Sequence, residues 1–377
     1  MKNIYCDISA TTPISPKVQE FMSEIQSTVY GNPSSIHRFG QESKAIIEQA
    51  RRQIANILNC QPGEIYFTGC GSESNNIALH GILKIGDHLI TSTYEHPAIK
   101  KPVSALETSG ITVTRIQPGN DGRIPPDSVK NAMTPETRLV SIMMVNNETG
   151  AINDVERIGE FCRQKKILFH TDGVQGFGKI AIDLSKLPID LMSMSAHKLY
   201  GPKGVGALFI REGVSVSPVF RGGGQEKNLR PGTENIAGIA GFGLAAQLAS
   251  RSLSKSASRL NELTTEFLKE LNDLDVRFSI NGEYQIPGVL NIFFPGVDAQ
   301  TLVIRMDMAG IAISAGAACS SGTANPSGAV LDMGYDVSRA SSSVRISFGK
   351  IHTREDIKIV AAELRKIIYP VQKGIDD

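Results

Sequence analysis

The sequence carries almost no excess of either charge: 39 Lys and Arg stand against 38 Asp and Glu, a net of +1. A surface so balanced projects no long-range field, which argues against a chain built to hold nucleic acid or an anionic membrane. Cysteines at paired spacing are missing as well. The five present, Cys6, Cys60, Cys70, Cys162 and Cys319, are odd in number, scattered, and form no C-x-x-C. Neither a disulfide framework nor a cysteine-rich zinc or iron–sulfur cage is therefore expected, and no metal site is assigned. Long apolar runs are absent too. Residues 1–7 hold none of signal-peptide length, and residues 309–319 are too few and too small-residue-rich to span a bilayer. The expectation is a reduced, cytoplasmic setting.

What remains is ordinary globular material, 41% hydrophobic and 20% charged over 377 residues, enough for a large core and two or three domains. Residues 41–58 place Ala45, Ile46, Ile47, Ala50, Ile54, Ile57 and Leu58 at helical spacing. Short apolar runs at 64–67, 88–92, 111–116, 139–145, 167–169, 191–194 and 205–210 then alternate with helical segments such as 155–164. Runs of this kind fit strands buried on both faces, so the alternation predicts an α/β fold with a mainly parallel central sheet covered by helices. After Gly232 the pattern changes to long helices at 236–250 and 258–274, strands at 276–280, 289–294 and 344–348, and helices at 300–308 and 354–368. A large α/β domain over 14–255 and a smaller α+β domain from 1–13 with 256–377 are expected.

Two strand ends carry the chemistry. His170-Thr171-Asp172 closes one run, and Ser195-Ala196-His197-Lys198 closes another. Lys198 lies between an apolar strand and a glycine-rich turn, Tyr200 to Gly206, where burial would favour a neutral amine. A carboxylate and a lysine from strand ends of an α/β sheet suit pyridoxal 5'-phosphate: the lysine holds the aldehyde as a Schiff base, and the aspartate keeps the pyridine nitrogen protonated. Phe67 to Asn76 reads as strand, glycine turn and helix start. That corner is either an anion site built on Gly71 and Ser72 or a plain cap satisfied by Ser72 and Glu73. Gln175 either donates to the cofactor's phenolic oxygen or serves the turn. His96 either stacks on a planar ring or is a satisfied loop histidine. Asn147, in Asn146 to Gly150, either faces the ligand or makes a turn. Arg345, within a strand, either snorkels or binds a carboxylate in two-point fashion. Cys319 sits in Ser-Ala-Gly-Ala-Ala-Cys-Ser-Ser-Gly-Thr over 314–323, among residues too small to bury it, which suits a nucleophilic thiol. The other four cysteines read as structural, Cys70 least clearly because it adjoins the proposed anion site.

This ordered set resembles the NifS/IscS-type cysteine desulfurases, class V aminotransferase-group enzymes of pyridoxal-phosphate fold type I. The resemblance runs from Ile4 to about Arg365 and includes 30–40 (Tyr-Gly-Asn-Pro-Ser-Ser-Ile-His-Arg-Phe-Gly), 195–198, 222–225 and 317–321. It implies Lys198, Cys319 and His96 as catalytic residues. It implies Gly71, Ser72, Ser195 and His197 at the phosphate, joined by Thr233 from the partner subunit of a homodimer, with Asp172 at the pyridine nitrogen and Gln175 at the ring oxygen. Asn147 and Arg345 would fix the substrate carboxylate. The implied reaction converts L-cysteine to L-alanine and leaves a persulfide on Cys319 for a sulfur-acceptor protein, as in iron–sulfur cluster assembly or tRNA or DNA thiolation. The alternative within the group is a selenocysteine lyase, an aminotransferase or a kynureninase-like hydrolase. Ser72, Gly173, Arg221, Pro231, Cys6 and Ile8 depart from the commonest pattern, and none of them removes a reactive group.

Overall fold

Twelve strands are found among the residues described by the computed structural model, which are 3–316 and 326–374. In chain order they are β1 (Ile4–Tyr5), β2 (Ile65–Thr68), β3 (His88–Ser92), β4 (Thr112–Ile116), β5 (Thr137–Ser141), β6 (Leu168–Asp172), β7 (Leu191–Ser195), β8 (Gly206–Ile210), β9 (Ser279–Ile280), β10 (Val289–Phe293), β11 (Ile311–Ala312) and β12 (Ser343–Ser347). Seven form the central sheet in the order β2-β8-β7-β6-β5-β3-β4. The run from β4 through β7 is parallel, and β8 alone is reversed, lying antiparallel between β7 and β2. β3, β7 and β8 are buried at every position, as strands covered by helices on both faces must be. β4 ends the sheet and leaves Thr112 and Arg115 in solvent. The α/β fold with a mainly parallel sheet is thus the one observed.

Several boundaries differ from the sequence reading for identifiable reasons. The run expected at 139–145 leaves regular pairing after Ser141. Ile142 N and Met144 N still donate to His170 O and Asp172 O of β6, but Met143 N is taken by the Glu95 carboxylate. The strand expected at 276–280 shrinks to Ser279–Ile280. The helix Pro97–Thr108 was not separately foreseen: it opens on a proline, whose missing N–H costs nothing there, yet holds Pro102 inside.

Two hydrophobic clusters flank the sheet, one around Ile54, Phe169, Phe177, Phe209 and Phe242, the other around Ile77, Leu89, Leu191 and Leu208. A separate cluster joins Ile4 and Cys6 to Phe267, Phe294, Phe348 and Leu364, under the three-stranded sheet β12-β10-β9. Ile286, Val289, Ala329 and Met333, although late in the chain, pack with the first of the sheet's clusters. β1 pairs in parallel with β11, tying the first residues to the later lobe before the chain crosses to the sheet. No helix among the described residues is long and apolar enough to cross a membrane.

Candidate active site

β6 and β7 are parallel neighbours, so their carboxyl ends open on the same side of the sheet, the usual place for a ligand in such a fold. Asp172 is the last residue of β6 and is 5% exposed. Its Oδ1 accepts from Val174 N (3.0 Å) and its Oδ2 from Asn75 Nδ2 (2.7 Å). Ser195 ends β7, and a 3₁₀ turn, Ala196–Lys198, follows at once. The Lys198 ammonium donates to Ser9 O (2.6 Å) and Ala10 O (2.8 Å), so the segment entering from β1 grips the lysine. Thr12 N and Thr12 Oγ1 both donate to His197 O, and Thr11 Oγ1 bonds His197 Nδ1, each at 3.0 Å. Burial, then the neighbouring Lys198, Lys203 and Lys179, push the His197 imidazole down to about 4. It is neutral at physiological pH.

The helix Gly71–Ile82 points its N-terminus at the same opening. Its cap residue Cys70 is extended and makes no side-chain capping bond, while Glu73 turns its carboxylate to Gly69 N and Arg230. The plain-cap reading therefore does not describe this turn: the first amides are left for another acceptor. Ser74 Oγ locks the helix to the sheet by bonding Thr68 Oγ1 (2.8 Å) and Ala207 O (3.1 Å). Two glycines let the parts close up. A Cβ on Gly71 would lie 2.6 Å from Val174 Cγ2, and one on Gly206 would lie 2.7 Å from the Cys70 carbonyl carbon. Any larger residue would push the phosphate-sized corner apart.

These pieces enclose a cavity of about 240 Å³ lined by Gly71, Ser72, His96, Asn147, Asp172, Gln175, Ser195, His197 and Lys198, with Ala10, Cys70, Asn75, Ala98, Met143 and Val174. Nine of the sequence-predicted site residues thus share one space. His96 is a satisfied histidine that also faces the cavity. It caps the helix Pro97–Thr108, its Nδ1 accepting from Ala98 N (3.0 Å), and it lines the cavity. Burial lowers its basicity, Lys198, Arg345 and Lys100 lower it further, and Asp172 opposes them. With Nδ1 occupied as an acceptor, only Nε2 remains for a ligand.

Two predicted residues stand elsewhere. Thr233 is exposed and outside this chain's cavity. Arg345 does not line it either: Nη2 donates to Asp7 Oδ1 (2.6 Å) and Nη1 to Asn147 O (2.7 Å), so the carboxylate it meets is the protein's own. Cys319 lies outside the described residues. The ends flanking it are anchored near the site, with Ser314 exchanging backbone bonds with Arg345 and Ser327 Oγ donating to Glu148 Oε2 (2.7 Å). Burial pushes the Cys6, Cys60 and Cys162 thiols up to about 12, which supports their structural reading. Cys70 lines the cavity.

Sequence reasoning missed Asn75 and Ser9. Asn75 stands one helical turn beyond Gly71, a spacing that could have nominated it once the helix start was an anion site. Ser9 acts through its carbonyl, for which no residue-type signal exists.

Residues 4–360 match the family Aminotransferase class-V. The chain belongs to that family. Class V enzymes of this kind work with pyridoxal 5'-phosphate, and the cavity fits it. A buried Ser195 hydroxyl has no partner in the protein, uncapped amides lie beside it, and a buried carboxylate and a lysine amine stand at the other end. Among curated relatives, the cysteine desulfurase IscS of Dictyoglomus turgidum is 39% identical, spanning 97% of this chain and 95% of the relative. A solved NifS-like protein superposes with a TM-score of 0.91 at 33% identity, covering 98% of this chain and all of the other. The structure of SspA in complex with cysteine matches at 35% identity and a TM-score of 0.83, over 93% of this chain and 100% of that one.

Proposed function

We infer that this class V enzyme is a cysteine desulfurase that takes sulfur from L-cysteine, releases L-alanine and carries the sulfur as a persulfide on Cys319. The observation that carries the reading is the placement of Asp172 and Lys198 on one cavity from the ends of adjacent parallel strands. The names of the relatives and the cysteine-bound neighbour supply the substrate.

Pyridoxal 5'-phosphate, when bound, supplies the electron sink that lets negative charge develop at the Cα of an amino acid. The protein would hold it by the first amides of Gly71–Ile82, Ser72 Oγ, Ser195 Oγ and His197 at the phosphate. Asp172, oriented by its two donors, would pair with the pyridine nitrogen, and Gln175 would donate to the ring oxygen. Lys198 Nζ would hold the cofactor, and its amine would be the group that accepts the substrate's Cα proton and returns it. His96, with Nε2 available, would face the ring and serve proton transfer. Asn147 would meet the substrate carboxylate, with Arg345 reaching it through the Nε that its bonds to Asp7 and Asn147 O leave unused. The Cys319 thiolate attacks the substrate sulfur, forming an S–S bond as the Cβ–Sγ bond breaks and its electrons return to the carbon skeleton.

The exposed Thr233 supports a homodimer in which it completes the partner's phosphate site. The sulfur then passes to an acceptor protein, a cluster scaffold or a thiolation enzyme, in the cytoplasm. The test is borohydride reduction followed by peptide mass spectrometry, together with product analysis for alanine and persulfide. An adduct on Lys198, and a Cys319→Ser enzyme that keeps the cofactor but loads no sulfur, is the expected pair of results. Keto-acid production instead of alanine would make it an aminotransferase, and no adduct on Lys198 would sink the cofactor assignment.

A further inference from the structure

A second lysine reaches this site from behind. Lys179 lies four residues beyond Gln175, and its ammonium donates to Gln175 Oε1 at 2.6 Å. The same carboxamide donates through Nε2 to Ser9 O at 2.8 Å, the carbonyl that also accepts from Lys198 Nζ at 2.6 Å. Amide oxygen and nitrogen are often interchangeable in a structure, but not here. An ammonium has only donors and a carbonyl only acceptors, so both ends of Gln175 demand the same orientation. One Nε2 hydrogen is spent on Ser9, and the other is left for an acceptor in the cavity that Gln175 lines.

We propose that Lys179 is a positioning residue: it pins the Gln175 carboxamide so that an N–H, never the oxygen, faces the cofactor's anionic ring oxygen, and it couples that choice to Lys198 through the shared Ser9 carbonyl. The proposal rests on the reading that Lys198 carries pyridoxal 5'-phosphate. Lys179 also borders a separate cavity of about 50 Å³, lined by Ser9, Lys198, Tyr200, Phe348 and Lys350 among others. The residue as a whole keeps partial exposure, yet its amine is aimed inward at Gln175. Removal from water, with Lys198 and Arg345 adding like charge, brings it down to about 7. The charged or titratable groups around it are those two with His197, Tyr200 and Lys350, none of them a carboxylate. A lysine held there with no carboxylate partner has no role as a structural ion pair. Its identified partner is the amide of Gln175.

The test uses the holoenzyme and reads the visible absorption of its bound cofactor against pH. Donors to an anionic oxygen, and a nearby cation, both favour the deprotonated state of the cofactor–lysine link. Lys179→Met removes the cation and unpins the carboxamide that carries the donor, so the midpoint should rise by roughly 0.5–1 pH unit. Lys179→Arg, again donors only, should return it toward wild type. In a Gln175→Leu background the same Lys179→Met change should move the midpoint much less, because the two act as one unit. Replacing a desolvated cation by an apolar chain of similar length is tolerated in general. Gln175→Leu alone must raise the midpoint as well, which keeps the idea testable should Lys179→Met fail to fold. An unmoved midpoint in either single variant with the cofactor still trapped on Lys198, or shifts that simply add, overturns the positioning role. A wild-type enzyme with no adduct on Lys198 would instead defeat the underlying cofactor reading.

Discussion

Asn75 Nδ2 donates to Asp172 Oδ2 across 2.7 Å, and both side chains are buried. A helix-borne amide, not solvent, is thus the second donor to the carboxylate that closes β6, and Val174 N is the first. Two fixed donors aim the buried carboxylate, so its placement as a partner for a pyridine nitrogen does not depend on solvent.

Asn75→Ala should therefore loosen the cofactor without abolishing the site. Hydrogen bonds to charged groups contribute about 1.5–3 kcal/mol, so retention should weaken by about tenfold or more. Titrating cofactor-free protein with pyridoxal 5'-phosphate measures this directly. An affinity equal to wild type would remove Asn75 from the site.

Glu95 gives a prediction with a sign. Its Oε1 accepts from Ser92 Oγ (2.6 Å) and Met143 N (3.0 Å), while Oε2 is buried without a partner. Burial dominates those two bonds, and the charge of Asp172 adds to it, so the carboxyl is raised from 4.5 to about 8. The folded state then holds a proton that the unfolded chain has lost, and stability falls as pH rises from about 4.5 to 8. Glu95→Gln removes that dependence. Urea melts at pH 6 and pH 8.5 should show the variant gaining on wild type at the higher value. An equal difference at both would mean that Glu95 titrates normally.

Much of this site was legible because its members travel in short motifs at strand ends. Asp172 and Lys198 needed only the alternation of apolar runs and glycine turns to be found, whereas the phosphate roles of Ser195 and His197 came with the family resemblance. The polar contacts that support these residues were not legible, for a physical reason. Gln175 meets Ser9 across 166 positions and Asn75 meets Asp172 across 97, and pairing at that range leaves no periodic trace. The same holds for the fold. Strands buried on both faces announced the sheet, but the reversal of β8 and the two-residue pairing of β1 with β11 are set by tertiary contacts alone.

The loop before Thr233 depends on a buried ion pair. Glu226 accepts from Arg51 through Nη2 (2.7 Å) and Nη1 (2.8 Å) and from Phe67 N (2.8 Å), although its own backbone is left-handed at φ 45°. Lys227 and Asn228 follow with φ 57° and 67°. Such a run persists only where its surroundings over-determine it. Glu226→Ala would strand a buried guanidinium and a backbone amide, at a cost of about 3–5 kcal/mol. The denaturant midpoint should drop with an unchanged slope. A midpoint within error of wild type would show that the loop holds its shape without the pair.

Arg345 and Asp7 make the last case, because the structure gives Arg345 a different partner from a substrate. The arginine is 1% exposed, its Nη2 meets Asp7 Oδ1 and its Nη1 meets Asn147 O, while Nε has no partner. If its main role is to fasten the segment before Ser9 and Ala10 to β12, Asp7→Asn should destabilise the fold by leaving the guanidinium buried and uncompensated, by about 3–5 kcal/mol. Arg345→Met should cost less, since it replaces the buried cation with an apolar chain. The double variant should fall well short of the sum, with a coupling of about 0.5–3 kcal/mol in a denaturant cycle. Strict additivity would mean that the pair contributes nothing. If Arg345 also orients a carboxylate through its spare Nε, Arg345→Met should raise KM well beyond what Asp7→Asn does, because only the first removes that donor. Equal KM changes in the two would confine Arg345 to fastening the chain.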